Sequence, residues 1–549
     1  MKALLVAATL MASLHAWAAV EIKVNANDGD SLVGERAFRV TVTAKSAVTS
    51  VEFYVGDDLR DSDTSTPYEF RFDSLMEKDG PLVVKFKAYT TDGESAEKTL
   101  RLNVSNGLDK GAEFHIQRAI ELLQSSKWDE AITAGRVALK IDSNSNPARI
   151  VMARANFGKG VLDTAQKFAE DALAADANNT EAADLLSAIN LKRAFGVVSR
   201  STDRNESLNL IRTALTSAVQ ARRKVLDAAV DQYGTPTEAK LIPFLDAAIR
   251  AGRFSLVIQS AEKAFRANPK RADIANRLAF AQLRADRSAD ALATLLELQK
   301  TTALDAYGYA LLGAIYIQRG DDKASDDAMR EAVLAESDNP GVLTAQAFIA
   351  LKRNRTAVLT TLSQNLLRDQ GQKAEVSYFI SALANRRNDF QVSRRYFERG
   401  VLAEPAFAEI YIEQANESIS LALGKSVEAK EKQFQFDSAR TYYLAAIEAR
   451  SSSDSLVGLT IVSLLSSKPS DALRYAQAAV AANPNSAAAQ YALAGALSAN
   501  RQSAQALQAN LKAGQLDKKN LEGRQIPNGE ALWRYFTAAG RPVVLTAPK

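Results

Sequence analysis

Small residues recur in this chain at a constant interval of 34. Counting from Gly313, one step back is Ala279, and successive steps forward are Ala347, Ser381 and Ala415. An independent run gives Ala119, Ala153 and Ser187 at the same spacing; Leu245 stands one step before Ala279, and Ile461 and Ala494 take the site later at a step of 33. Nine of these eleven positions are Ala, Gly or Ser; an alanine-rich chain supplies small residues but not a fixed interval. Self-similarity at a period of about 20–50 residues marks stacked repeats, each burying its apolar face only against its neighbours. A chain of 549 residues, too long for one hydrophobic core, is accommodated by such an array.

From Ser105-Asn106-Gly107, read as a linker, the apolar period is helical onward. The segment Tyr309-Ala-Leu-Leu-Gly-Ala-Ile-Tyr316, followed by Gly320 and Ala332, resembles the tetratricopeptide motif. The resemblance implies two antiparallel helices per 34 residues, with position 8 small because the paired helices cross there at close range. Second-helix signatures agree: Trp128-Asp-Glu-Ala131 with Ala138, then Ala165, Ala169 and Ala172, later Ala472, Ala476 and Ala479, and finally Ala506 and Ala513. Asn146-Pro147, Asn268-Pro269, Asn339-Pro340 and Asn483-Pro484 punctuate repeat ends, where proline cannot continue a helix. The expectation is a mostly α chain: a TPR-like, right-handed solenoid of about eleven helix pairs over 111–515. A capping helix around Ala531-Leu-Trp-Arg-Tyr-Phe536 and a frayed tail are expected over 516–549. Two inserts break the period, between Ser187 and Leu245 and between Ala415 and Ile461; Ser207 to Asp231 and Val427 to Phe436 read as lengthened helices.

Upstream the period is two. Phe38, Val40 and Val42 alternate with polar residues, as do Val51, Phe53 and Val55, then Tyr68, Phe70 and Phe72, then Val84, Phe86 and Ala88, then Leu100, Leu102 and Val104. With Ile22, Val24 and an edge near Leu59, about seven strands occupy 19–105, which suits a two-sheet sandwich. The stretches Val48 to Val55, Thr66 to Asp73 and Lys87 to Gly93 resemble bacterial Ig-like modules of exported proteins. Residues 1–18 read as a cleavable signal peptide: Lys2, the apolar run Leu4 to Leu14, and Ala16-Trp17-Ala18. This predicts a periplasmic or extracellular protein, and without cysteine it is neither a lipoprotein nor disulfide-held. No later stretch reaches the ~18–20 apolar residues of a membrane span.

Composition narrows function. A net charge of +4 without a concentrated basic stripe argues against nucleic acid; Arg222, Arg223 and Lys224 read as a solvated helix face. His15 leaves with the leader, so His115 alone could serve a Ser-His-Asp arrangement, and Cys/His metal sites within one chain are excluded. Asp57, Asp58, Asp61 and Asp63 lack the Gly and Glu of an EF-hand loop and read as a solvated acidic turn. No enzymatic activity, cofactor or metal is therefore assigned. The resemblance places Phe280, Arg284, Tyr307, Gln318, Phe348, Lys352, Tyr378, Asn385 and Arg386 on the concave wall. Aromatic and Arg side chains there suit protein or peptide segments. The carboxylate clamp of chaperone-tail binders is missing, since Ile116, Ile150, Asn276, Ala310, Thr344 and Tyr378 hold its fifth position. The leading expectation is an exported scaffold binding protein segments in an envelope or secretion assembly. The alternative is a polysaccharide-associated binding protein of the cell envelope.

Overall fold

A computed structural model describes residues 20–198, 204–517, 528–539 and 543–548, in two compact units divided after Asn178. The expected leader lies outside the described residues.

In the first unit the period-two segments form strands β1 (Val20–Val24), β2 (Ser31–Leu32), β3 (Glu35–Ala44), β4 (Val48–Val55), β5 (Asp58–Asp63), β6 (Tyr68–Asp73), β7 (Gly80–Thr90) and β8 (Ser95–Val104). They build two sheets, ordered β1-β3-β6 and β2-β8-β7-β4-β5. The alternation works as predicted: Val51, Phe53 and Val55 point inward and pair with Ala88, Phe86 and Val84 across β7. Phe38 and Phe70 of the other sheet meet them, with Phe53 and Phe86 centroids 5.2 Å apart and Phe38 and Phe86 5.5 Å apart. The eighth strand is β2, two residues parallel to β8 and too short to leave a periodic signal. The acidic turn is engaged locally: Asp57 accepts from Lys85 Nζ at 2.7 Å, and Asp63 accepts from the Ser65 amide at 3.0 Å.

Four helices follow in this unit: α1 (Ala112–Gln124), α2 (Trp128–Ile141), α3 (Asn146–Lys159) and α4 (Leu162–Ala175). The linker expected at Ser105–Gly107 is instead pinned to the sandwich. Asn106 is buried and accepts from the Gly34 amide and the Ser74 hydroxyl, while Asp79 accepts from the amides of Asn106, Gly107 and Leu108. His115 is buried, with Nε2 2.8 Å from the Gly107 carbonyl. Arg136 of α2 reaches Glu35 at 2.7 Å and also Asp73, fastening the helices to the sheet.

The second unit continues in pairs: α5 (Thr180–Val198) with α6 (Arg204–Asp231), α7 (Leu241–Arg250) with α8 (Phe254–Ala267), α9 (Ala272–Arg284) with α10 (Ser288–Thr301), and α11 (Ala306–Arg319) with α12 (Asp322–Ala335). Then come α13 (Pro340–Lys352) with α14 (Thr356–Gln370), α15 (Ala374–Arg386) with α16 (Phe390–Ala403), and α17 (Ala408–Ala422) with α18 (Ala429–Ala449). After α19 (Ser453–Leu465) with α20 (Pro469–Ala482) and α21 (Ala487–Ala499) with α22 (Ser503–Leu516) stands a single helix, α23 (Gly529–Ala539). The described residues thus hold eleven TPR-like pairs. Within this unit the 34-step residues Leu245, Ala279, Ala347, Ser381 and Ala415 are buried to within 1%. A Cβ at Gly313 would stand 2.6 Å from Met329 Sδ, and the Ser325 hydroxyl donates to the Gly313 carbonyl at 2.8 Å, so the small residue is a packing requirement.

A second 34-residue ladder runs through the turns inside the pairs. Gly252, Asp286, Gly320, Asn354 and Asn388 all have positive φ, 53–80°, as do Ser467 and Arg501 at the same interval. Each lets the chain leave a first helix in the left-handed conformation that closes helix C-termini, a site that favours Gly and tolerates Asn and Asp.

The two inserts form lengthened helices, as expected, and these pack on each other. Arg204 of α6 pairs with Glu431 of α18 at 2.5 Å, and Gln220 with Glu448 at 2.8 Å. Arg222 grips Glu404 and Asp184, and Arg223 donates to the Ala449 carbonyl. The basic run is therefore a half-buried seam at Arg222 and Arg223, with only Lys224 exposed as a solvated face would be. Through this seam the pairs from α6 to α18 close into one turn around an interior.

Candidate functional site

First helices of an open array keep their inner faces wet; those of the second unit do not. In α13, Val342 to Ala345 and Ala347 to Leu351 are buried, and α19 is buried from Ser455 to Ser463. A helix apolar all round needs cover on every side, and three elements supply it.

The first is α23. It lies against α19 and α21, with Leu532 and Phe536 buried and the Tyr535 ring 4.7 Å from Tyr491. The expected C-terminal helix thus forms and lies on first helices of the last two pairs, while Leu507 and Leu511 of α22 stay 50% and 53% exposed.

The second is segment 543–548, expected to fray. Val543, Val544, Leu545 and Thr546 are each at most 5% exposed. The segment is neither helix nor strand and is held by first helices of successive pairs. Arg284 Nη1 donates to the Val543 carbonyl at 3.3 Å and Tyr307 Oη to the Thr546 carbonyl at 2.7 Å. Thr344 Oγ1 accepts from the Thr546 amide at 3.2 Å and lies 3.2 Å from its hydroxyl. Three residues separate the Arg284 contact at Val543 from Thr546, whose carbonyl and amide are taken by Tyr307 and Thr344 of the next two pairs. Gly341 clears the way for Tyr307, whose ring a Cβ there would strike. Burying three aliphatic side chains stabilises by about 6 kcal/mol and four hydrogen bonds by about 4. Ordering six residues costs about 9, so the net is within a few kcal/mol of zero.

The third is a charged cluster reaching across the interior. Glu409 of α17, 1% exposed, takes Arg284 of α9 at 2.5 Å and also Arg450. Both guanidinium groups sit 5.5 Å from the Phe254 ring centre. Burial opposes ionisation of Glu409, but the two arginines outweigh it and hold the carboxyl down at about 2. A cavity of about 480 Å³ opens here, bordered by Phe280, Arg284, Glu409, Arg450 and, from the segment, Leu545 and Thr546. A second cavity, of about 230 Å³, holds Asp286, Gln318 and Asp454. Desolvation, with Asp286 adding repulsion, pushes Asp454 up to about 7 against Arg450 and Lys352.

The nine predicted wall residues therefore divide. Phe280, Arg284 and Tyr307 converge on the first cavity and the segment. Gln318 lines the second cavity and Lys352 acts electrostatically on Asp454 there. Asn385 donates to Glu413 at 3.3 Å, and Arg386 to the carbonyls of Ala382 and Leu351. Phe348 and Tyr378 are packing residues, 0% and 1% exposed, so they line no open groove. Glu409 and Arg450 carry no local sequence signal, Thr344 was read only as a clamp position, and the segment was expected to fray. The run Val543-Val544-Leu545, three aliphatics that water disfavours, was the available signal.

Residues 18–101 match the family model described as bacterial Ig domain. Comparison with curated proteins gives no match. Among solved structures, yeast Tom70 is similar at 15% identity, covering 78% of this chain and 96% of that one with a TM-score of 0.35. The APC/C hetero-tetramer Cut9-Hcn1 is similar at 11% identity, over 78% and 84%, with a TM-score of 0.40. The Clostridium thermocellum CbhA fibronectin(III)-like modules share 27% identity over 16% of this chain and 97% of that one, at a TM-score of 0.14. The sandwich is thus similar to a bacterial Ig domain, and the helices after it stand in consecutive pairs.

Proposed function

We propose that this chain is an exported, non-enzymatic scaffold that binds segments of other proteins on the inner wall of its helical repeats, in a bacterial envelope or secretion assembly. Export is supported by the leader-like pattern of residues 1–18 and by the likeness of the sandwich to a bacterial Ig domain. Among the described residues no helix is long and apolar enough to cross a membrane.

One observation carries the binding role: first helices of three successive pairs already hold a non-helical stretch of polypeptide through Arg284, Tyr307 and Thr344. Polysaccharide stacking, the other expectation, needs open aromatic faces, and Phe280, Tyr307, Phe348 and Tyr378 are all buried. The test is photo-crosslinking in the native envelope from a reactive side chain placed at Gln318. Recovery of one defined protein, lost on Lys352→Glu, is the expected result. Recovery unchanged by Lys352→Glu, or of glycan alone, would contradict the assignment.

A further inference from the structure

Segment 543–548 is bound as a ligand would be. Its backbone is read by three side chains from three different helices, Arg284 and Tyr307 on carbonyls and Thr344 on an amide. Its side chains Val543, Val544 and Leu545 join the apolar core of α7–α15. Backbone reading of this kind fixes the path of a peptide, while the apolar positions fix its composition. The segment carries no charged side chain, although Arg284, Glu409 and Arg450 stand beside it, with Glu409 bridging the two arginines.

We infer that the inner wall of α9, α11 and α13 is a receptor for a non-helical, uncharged segment of pattern aliphatic-aliphatic-Leu-Thr-small, and that residues 543–548 occupy it in cis. A partner carrying such a segment binds by displacing them. The inference rests on the peptide-binding role proposed above and adds the ligand's chemistry and the competitor. Two features favour displacement. The hold on the segment is nearly balanced by the cost of ordering it. The cavity of about 480 Å³ beside Leu545 and Thr546 also lets a longer ligand reach Arg450, whose side chain is 18% exposed. A tethered segment competes at an effective concentration of about 1 mM, so a free peptide with a Kd near 100 μM is weakened about tenfold by it.

The experiment is fluorescence anisotropy with a labelled Val-Val-Leu-Thr-Ala-Pro peptide. The probe is titrated with the full chain and with a chain ending before Val543. The shortened chain binds about tenfold tighter than the full one. Binding is lost with a Leu→Asp peptide and falls about three- to tenfold with Tyr307→Phe in the shortened chain. If the shortened chain keeps a cooperative helical melt yet binds the probe no better than the Asp peptide, the inference fails. Should truncation abolish that melt, the full chain with Leu545→Asp, which releases the segment without altering the wall, replaces it. It then binds the probe tighter than the unaltered chain, and equal or weaker binding overturns the inference. Selecting random displayed peptides on the same protein separates the two readings. Peptides that crosslink from Gln318 but lack the aliphatic-Leu-Thr pattern leave the scaffold role standing and remove this inference, whereas no such peptides at all removes both.

Discussion

At Glu409 one carboxylate, 1% exposed, carries two arginines, Arg284 of α9 and Arg450 at the end of α18. Removing it leaves two buried cations facing each other, so Glu409→Ala is predicted to destabilise the second unit by about 3–5 kcal/mol. Urea unfolding followed by far-UV circular dichroism measures this. Glu417 behaves oppositely. It is buried, accepts from Gln414 at 2.7 Å and Ser393 at 3.1 Å, and burial pushes it up to about 7. A carboxyl raised in the folded state favours folding at low pH, and that advantage disappears as pH climbs from about 4.5 to about 7. Glu417→Gln should therefore match the unaltered chain at pH 4 and exceed it by about 3 kcal/mol at pH 8. Melting curves at the two pH values decide the sign. Neither residue was legible from sequence, because which of 64 acidic side chains are buried depends on contacts between helices more than a hundred residues apart.

Helix pairs were the legible level. The 34-residue interval is a local steric rule, set wherever Gly313 meets Met329 or the Ser381 hydroxyl lies 3.0 Å from Ser393. Each pair writes it into the sequence independently. The turn ladder was only partly visible, through Gly252 and Gly320, because Asp286, Asn354, Asn388, Ser467 and Arg501 adopt the same conformation without being glycine. At Arg501, φ is 61° on a side chain that disfavours it. Arg501→Gly is predicted to stabilise by about 0.5–1 kcal/mol, the left-handed penalty less the extra entropy of glycine. A shift of the urea midpoint at constant slope would register it, and a loss of stability would show that the arginine side chain holds the turn.

Across the second unit as a whole, sequence reasoning pictured an open groove, and the wall is instead covered by its own chain. Periodicity could not reveal this, since a helix apolar on every side, such as α13 or α19, gives no directional pattern. The Arg222 seam between the two inserts likewise joins residues 182 apart, Arg222 and Glu404, that no local rule connects. The consequence is a receptor surface that carries a ligand-like segment of its own. Hydrogen exchange of the intact protein, read by mass spectrometry over residues 543–548, measures this most directly. The amide of Thr546, bonded to Thr344, should exchange about tenfold more slowly than the same amide in a free Val-Val-Leu-Thr-Ala-Pro peptide. Exchange at the free-peptide rate would contradict the account.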